Sequence, residues 1–179
     1  AQDHRVEQRG EARLGGGDML GFVAQHLPHR RRGGGLDDFQ ALLDNPLLGR
    51  LHDLRIDLSF ETEKQQGPEV LRRLLGVWNT PALRRLGLLW SLSAEEVRFL
   101  ADAPAPPMLT ELELGAFRMK AEGMAALAGS PLLRQLRRLV FSNSSSQAVP
   151  GLEALADSPQ IGSRLRVDIQ NGHVPREVV

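Results

Sequence analysis

Residues 124–141 read M-A-A-L-A-G-S-P-L-L-R-Q-L-R-R-L-V-F, and residues 152–169 repeat the phrase as L-E-A-L-A-D-S-P-Q-I-G-S-R-L-R-V-D-I. Each copy has a helix-forming stretch, then Ser-Pro, then apolar residues spaced as in a strand. Self-similarity at a period of about 20 to 50 residues is typical of solenoids, in which each unit buries its apolar face against its neighbours. The phrase therefore predicts stacked units.

The repeat extends upstream of these two copies. Prolines precede five leucine-rich runs, at Pro46, Pro81, Pro107, Pro131 and Pro159. The apolar anchors that follow them recur at intervals of 32, 26, 27 and 28 residues, at Leu54, Leu86, Leu112, Leu139 and Val167. The first interval is long because residues 61–69 form a polar insertion after the first strand. Five units at near-constant spacing predict one repeated architecture.

Each unit is predicted to hold one strand and one helix. Apolar and polar residues alternate after each anchor, which is typical of a strand with one buried face. The first strand has two possible registers, Leu54/Ile56 or Ile56/Leu58. Ser93 followed by Glu96 forms a capping box that starts a helix. The anchors should form a buried ladder with helix leucines behind it, at Leu42, Leu74, Leu100, Leu127 and Leu155.

The phrase A-L-A-x-S-P-x-L-x-x-L-x-x-L resembles the leucine-rich-repeat family, most closely its helix-containing repeats of the ribonuclease-inhibitor type. It is also similar to repeats in uncharacterised proteins from GC-rich bacteria. The resemblance covers about residues 36–172. It implies an α/β fold: a right-handed solenoid with a curved parallel sheet and helices on the convex side. The asparagine that the family places after each strand is replaced, in order, by Ser59, Ser91, Phe117, Ser144 and Gly172.

Composition suggests a soluble domain of the bacterial cytoplasm. The chain has 179 residues, no cysteine, and 22 basic against 22 acidic residues. Lack of cysteine fits a reducing compartment. No apolar run reaches the length of a membrane span, and no signal peptide is visible. A balanced charge argues against nucleic acid as the partner, because phosphate binding usually needs a basic excess.

Residues 1–35 depart from the repeat, so we divide the chain into an N-terminal segment, 1–35, and a repeat domain of about five units, 36–179. Glycine runs at 15–17 and 33–35 flank a segment that we interpret as a helix. Asp18 would cap it and Pro28 would end it. This segment either caps the first unit or forms an arm that docks on a partner.

The sequence offers no catalytic constellation. There is no phosphate-binding loop, no G-x-S-x-G elbow and no H-E-x-x-H zinc helix. His26 and His29 are close, but Pro28 separates them and no carboxylate stands at ligand spacing. We therefore predict a non-enzymatic protein with no cofactor and no metal.

The side chains that alternate with the buried leucines are expected to form the binding surface. Leu89 and Val140 would supply exposed apolar contacts among charges of both signs, which suits a protein partner. The predicted partner-binding residues are Arg55, Arg85, Leu89, Glu113, Arg138, Val140 and Asp168. Two functions stay open: a scaffold that binds a protein on this face, or an accessory subunit that docks on an enzyme and acts through its N-terminal arm.

Overall fold

The structure, a computed structural model, describes part of the chain. The described residues are 21–24, 39–41, 43–46, 48–58, 60–78, 80–116, 118–142 and 149–170. Of residues 21–24, 60–65, 149 and 150, the backbone alone is described. Within these ranges the fold is α/β, with strands and helices that alternate along the chain.

Strands and helices have the following bounds. The strands are β1 Gly21–Ala24, β2 Asp53–Ile56, β3 Arg85–Ser91, β4 Glu111–Gly115, β5 Arg138–Ser142 and β6 Arg166–Gln170. The helices are α1 Phe60–Val77, α2 Ala94–Asp102, α3 Lys120–Gly129 and α4 Val149–Ala156. Residues 39–41 and 43 are also helical, and Leu48–Arg50 and Pro131–Arg134 form short 3₁₀ turns.

All six strands belong to one parallel sheet in the order β1 to β6. Each pairs in parallel with the next strand along the chain. Helix α2 packs against α3, and α3 packs against α4. The predicted parallel order of the five leucine-rich strands is confirmed, and a further strand precedes them.

The register of β2 to β6 aligns the predicted anchors. Leu54 pairs with Leu86, Leu86 with Leu112, and Leu112 with Leu139. The alternative register, in which Ile56 would begin the ladder, is therefore wrong. These four leucines are at most 2 % exposed. They form the buried ladder that the repeat predicts.

Helix leucines complete the core behind the sheet. Leu74, Leu100, Leu127 and Leu155 are buried, as predicted, and belong to the same cluster as the strand leucines. Leu42 lies outside the described residues. Four aromatic side chains are buried among these leucines, Phe39, Trp78, Trp90 and Phe141, so the described core is mainly aliphatic.

The last strand does not match the buried-ladder prediction. Val167 pairs in register with Leu139, but it is 38 % exposed. Ile169, two residues later on the same face, is 37 % exposed. Both residues lie at the end of the sheet, where the described part of the chain supplies a neighbouring strand on one side alone.

The N-terminal segment also differs from the prediction. Residues 21–24 form β1, a strand, where the apolar spacing predicted a helix. Phe22 pairs with Leu54 across β1 and β2. Pairing with the sheet outweighs the helical period, since local propensity is a weak constraint on a short segment. The predicted cap at Asp18 and end at Pro28 lie outside the described residues.

The polar insertion at residues 61–69 is helical. It forms the first half of α1, which begins at Phe60. Pro68 lies inside this helix although proline lacks the N–H that a helix interior uses. The extra residues of the first interval therefore lengthen a helix instead of a loop.

Two serines before prolines connect successive units. The Ser130 hydroxyl donates to the Ala101 carbonyl at the end of α2 (2.7 Å) and accepts from the Leu132 N–H (3.3 Å). Ser158 does the same one unit later, donating to Ala128 and accepting from the Gln160 N–H. The last carbonyls of a helix have no intrahelical partner. Each serine therefore satisfies one helix end and fixes the following turn to it.

Replacement of Leu112 by alanine should destabilise the protein by about 2 to 5 kcal/mol, the cost of truncating a buried leucine. Leu112 is central in the ladder and 1 % exposed. Met108→Ala is the control, because Met108 is 47 % exposed and should change the free energy of unfolding by less than about 0.5 kcal/mol. Urea denaturation measures both. Equal effects of the two substitutions would contradict the assigned core.

Replacement of Ser130 by alanine should cost about 1 to 3 kcal/mol, because it leaves the buried Ala101 carbonyl and Leu132 N–H without their partner. Ser163→Ala is the matched control, since Ser163 is exposed. Thermal and urea unfolding of the two variants should separate them. A Ser130→Ala variant as stable as the control would show that the hydroxyl does not connect the units.

Candidate functional site

One face of the sheet is built from charged side chains. Successive residues of a strand point to opposite faces, so the residues between the buried leucines point away from the core. We call this surface the charged face. Its members are Asp53, Arg55, Arg85, Glu111, Glu113, Arg138, Arg166 and Asp168.

Charges of opposite sign alternate across the first row of this face. Asp53, Arg85, Glu111 and Arg138 occupy equivalent positions on β2 to β5. The Arg85 guanidinium lies 3.8 Å from Asp53 and 4.0 Å from Glu111. Arg138 lies 3.9 Å from the other oxygen of Glu111. Each carboxylate therefore faces a cation on a neighbouring strand, which is the favourable cross-strand arrangement.

The second row contains an ion pair that crosses a strand. Arg55 on β2 reaches Glu113 on β4, with 3.2 Å between Nη2 and Oε2. Between them on β3 lies Gly87, and a Cβ at that position would stand 2.9 Å from the Arg55 Cγ. Because Gly87 has no side chain, the Arg55 side chain can pass over β3 at this position and reach Glu113. Gly87 is therefore part of the site.

Asp168 on β6 receives two arginines. Arg138 Nε donates to one of its oxygens at 2.8 Å, and Arg166 Nε donates to the other at 2.7 Å. The hydrogen bond from Arg138, followed by that from Arg166, lowers the pKa of the Asp168 carboxyl. The same bond raises the pKa of Arg138. Both groups therefore stay ionised over a wider pH range than usual.

The charged face is neutral in sum and half-exposed. Its eight members are four arginines and four carboxylates. The side chains of Arg55, Arg85 and Arg138 are 41–43 % exposed. Exposed ion pairs of this kind contribute little individually to stability. A neutral lattice of charges also produces a weaker long-range field than a basic patch would.

Six of the seven predicted site residues come together here: Arg55, Arg85, Glu113, Arg138, Asp168 and Val140. Leu89, at the irregular end of the β3–β4 pairing, is half-buried. Sequence reasoning did not include Asp53, Glu111 and Arg166 in the site. Acid and base alternate one position before the first four anchors, from Asp53 to Arg138, and this signal could have identified the pairing of Asp53 and Glu111.

The prediction that Val140 is exposed is wrong. It is 5 % exposed, although it lies on the charged face and outside the core cluster. In register it lies between Glu113 on β4 and Asp168 on β6. Arg55 and Arg138 hold these carboxylates close to the sheet. The longer neighbouring side chains therefore shield the short valine from solvent.

Buried Glu96 belongs to the fold and not to this face. Its carboxylate accepts hydrogen bonds from Trp90 Nε1 (3.1 Å) and from the Ser93 N–H and hydroxyl. Ser93 in turn caps α2, so the predicted capping box is confirmed. A buried carboxylate with three donors is satisfied where it lies. It attaches α2 to the end of β3.

Most of the other positions named from the sequence lie outside the described residues. His26 and His29 lie outside the described residues, as do the asparagine-equivalent positions other than Ser91. The described residues contain no group of three or more metal-ligating side chains. In the same part of the chain, no helix has the length and apolar character to cross a membrane.

Comparison with protein-family models, with curated proteins and with solved structures gave no match to this chain. The assignment of a function therefore depends on the chain's own geometry.

The pKa of Asp168 should titrate below its ordinary value of 3.8 and should rise towards it in Arg138→Gln, which lacks the main hydrogen bond. Carboxyl-carbon NMR measures both values, with Arg98→Gln as a surface control. Because the folded pKa is lowered, the contribution of Asp168 to stability is present above about pH 4 and is lost as pH falls below it. The difference in unfolding free energy between wild type and Asp168→Asn should shrink over that range. An unchanged titration in Arg138→Gln would contradict the assigned pairing.

Proposed function

We propose that the chain is a right-handed leucine-rich-repeat solenoid that acts in the cytoplasm as a non-enzymatic scaffold and binds a protein on its charged face. The strand order, the shared register and the alternation of strand with helix support a repeat architecture. So do the serine hydroxyls that link positions 29 and 30 residues apart in successive units. In such a solenoid the charged face would be concave and the helices would lie on the convex side.

The ion-pair lattice is the observation that carries the proposed binding role. Its arginines and carboxylates already pair with one another, so a partner with both charges can exchange ion pairs without leaving a charge unpaired. Exchange would also draw Arg55 and Arg138 away from the carboxylates that flank Val140. The valine would then become an apolar contact at the centre of a charged surface, the arrangement typical of protein interfaces.

Charge balance on this face favours a protein over a nucleic acid. A phosphate backbone needs an excess of cations, and its binding depends on released counterions. Here four carboxylates stand among four arginines, so a polyanion would meet repulsion as well as attraction. The preferred partner presents carboxylates to the arginines and basic groups to Glu111 and Glu113.

Arg85→Gln/Arg138→Gln should weaken partner binding about 30-fold, the equivalent of about 2 kcal/mol for loss of central contacts. The substitutions remove charge without placing new carboxylates beside Asp53 and Glu111. Arg98→Gln/Arg134→Gln is the matched control, since both residues are exposed and lie away from the charged face. Partners are first identified by cross-linking mass spectrometry on the native assembly, and affinities are then measured with the purified partner.

The control variant should bind as wild type does, and both variants should retain wild-type circular dichroism. Equal affinity of the two double variants would refute the charged face as the binding surface. A truncation of residues 1–20, which retains β1, tests the second candidate. Loss of binding in that variant alone would favour the N-terminal arm.

A further inference from the structure

Among the described residues, strand β6 has an unpaired edge. The Arg166 N–H donates to the Arg137 carbonyl (2.9 Å), so the main-chain groups of Arg166 point towards β5. Main-chain groups of successive residues in a strand point to alternate sides. Those of Val167 and Ile169 therefore point away from the sheet. In the part of the chain that the structure describes, no strand pairs with that side of β6.

The core is also open at this end. Val167 and Ile169 are exposed on the face that the preceding strands bury. With α4 they line a groove of about 710 Å³ whose apolar walls include Leu152, Leu155 and Ile161. An open strand edge beside exposed apolar residues is a template for pairing with another chain.

We propose that a second copy of this chain covers this end, with β6 pairing antiparallel to β6 across a twofold axis. Charge distinguishes the registers centred on Arg166, Val167 and Asp168. Pairing centred on Asp168 would oppose two carboxylates, and pairing centred on Arg166 would oppose two guanidiniums. A one-residue shift from either centres the pair on Val167. This register places each Arg166 opposite Asp168 of the other copy.

The Val167-centred register also fits the backbone. The Val167 N–H and carbonyl of each copy face the edge, so the two residues form a hydrogen-bonded pair across the axis. Arg166 and Asp168 of the other copy then form a non-hydrogen-bonded pair, in which side chains are closest. The Arg166 side chain is 78 % exposed, and because Nε alone donates to Asp168 of its own chain, the remaining guanidinium N–H groups can meet the second carboxylate. If the twofold axis is perpendicular to the sheet, the apolar faces of the two copies lie on the same side of the joined sheet.

This arrangement would join the two sheets into one and bring the two α4 helices to the same side of the joint. The charged face would continue across the axis without interruption. The proposal concerns the end of the sheet, so it stands or falls independently of partner binding on the charged face. Isologous pairing of this kind closes on itself and limits the assembly to a dimer.

The test uses sedimentation velocity and light scattering on the 179-residue chain at about 100 µM, where dimers with micromolar Kd are well populated. Wild type should be dimeric. In Arg166→Asp, two carboxylates would face each other at each of the two cross-axis pairs of positions 166 and 168. In Asp168→Arg, two guanidiniums would face each other there. Each variant should therefore be monomeric, with half the molar mass of the wild-type dimer. An equimolar mixture of the two should form a heterodimer, because each pair again has opposite charges.

Arg98→Asp, a charge reversal of an exposed arginine on α2, should remain dimeric. Circular dichroism checks the fold of each variant. A monomeric wild type would overturn the proposal and would favour cover from elsewhere in the chain. Dimers that persist in both single variants, or a mixture that stays monomeric, would overturn it as well, since the interface would then not involve these charges.

Discussion

Parallel pairing in one register is the constraint on which the rest of the structure depends. It places Leu54, Leu86, Leu112 and Leu139 side by side, so each central leucine is buried by leucines on both neighbouring strands. Because side chains alternate, the same register also places acids beside bases on the opposite face. A slip of one residue would expose the leucines and bury the charges. The core and the charged face are thus two results of one set of backbone hydrogen bonds.

The helix layer needs its own connection between units, because its spacing is not fixed by the sheet. Ser130 and Ser158 provide it, each joining the carbonyl at one helix end to the turn that follows the next helix. The proline after each serine ends the helix and leaves the hydroxyl at that turn. In this chain the Ser-Pro dipeptide thus connects units on the helix side. On the strand side, the carbonyls of Arg84, Thr110 and Arg137 accept hydrogen bonds from backbone N–H groups of the next unit.

Sequence periodicity was sufficient to predict the strands, their order and the inward leucines, because these depend on spacing alone. The exceptions depend on contacts that spacing does not contain. Residues 21–24 form a strand because a sheet edge is available to them. Val140 has the spacing of an exposed residue but is shielded by longer neighbours. Gly87 contributes to the site through the side chain that it lacks, since Arg55 crosses at that point. Such effects require the neighbouring strands to be in place.

Position in the sheet, more than residue type, decides how buried an inward residue becomes. Leu139 and Val167 occupy equivalent positions on adjacent strands, yet the first is 0 % and the second 38 % exposed. Both side chains are apolar, and both point towards the helix side. Leu139 has a strand on each side, whereas Val167 has one on a single side among the described residues. The difference in exposure therefore follows from the next helix and strand, which cover Leu139 and which Val167 does not have among the described residues. A parallel sheet that adds each strand at one edge leaves an apolar end, and the chemistry of its outermost strand determines what can cover it.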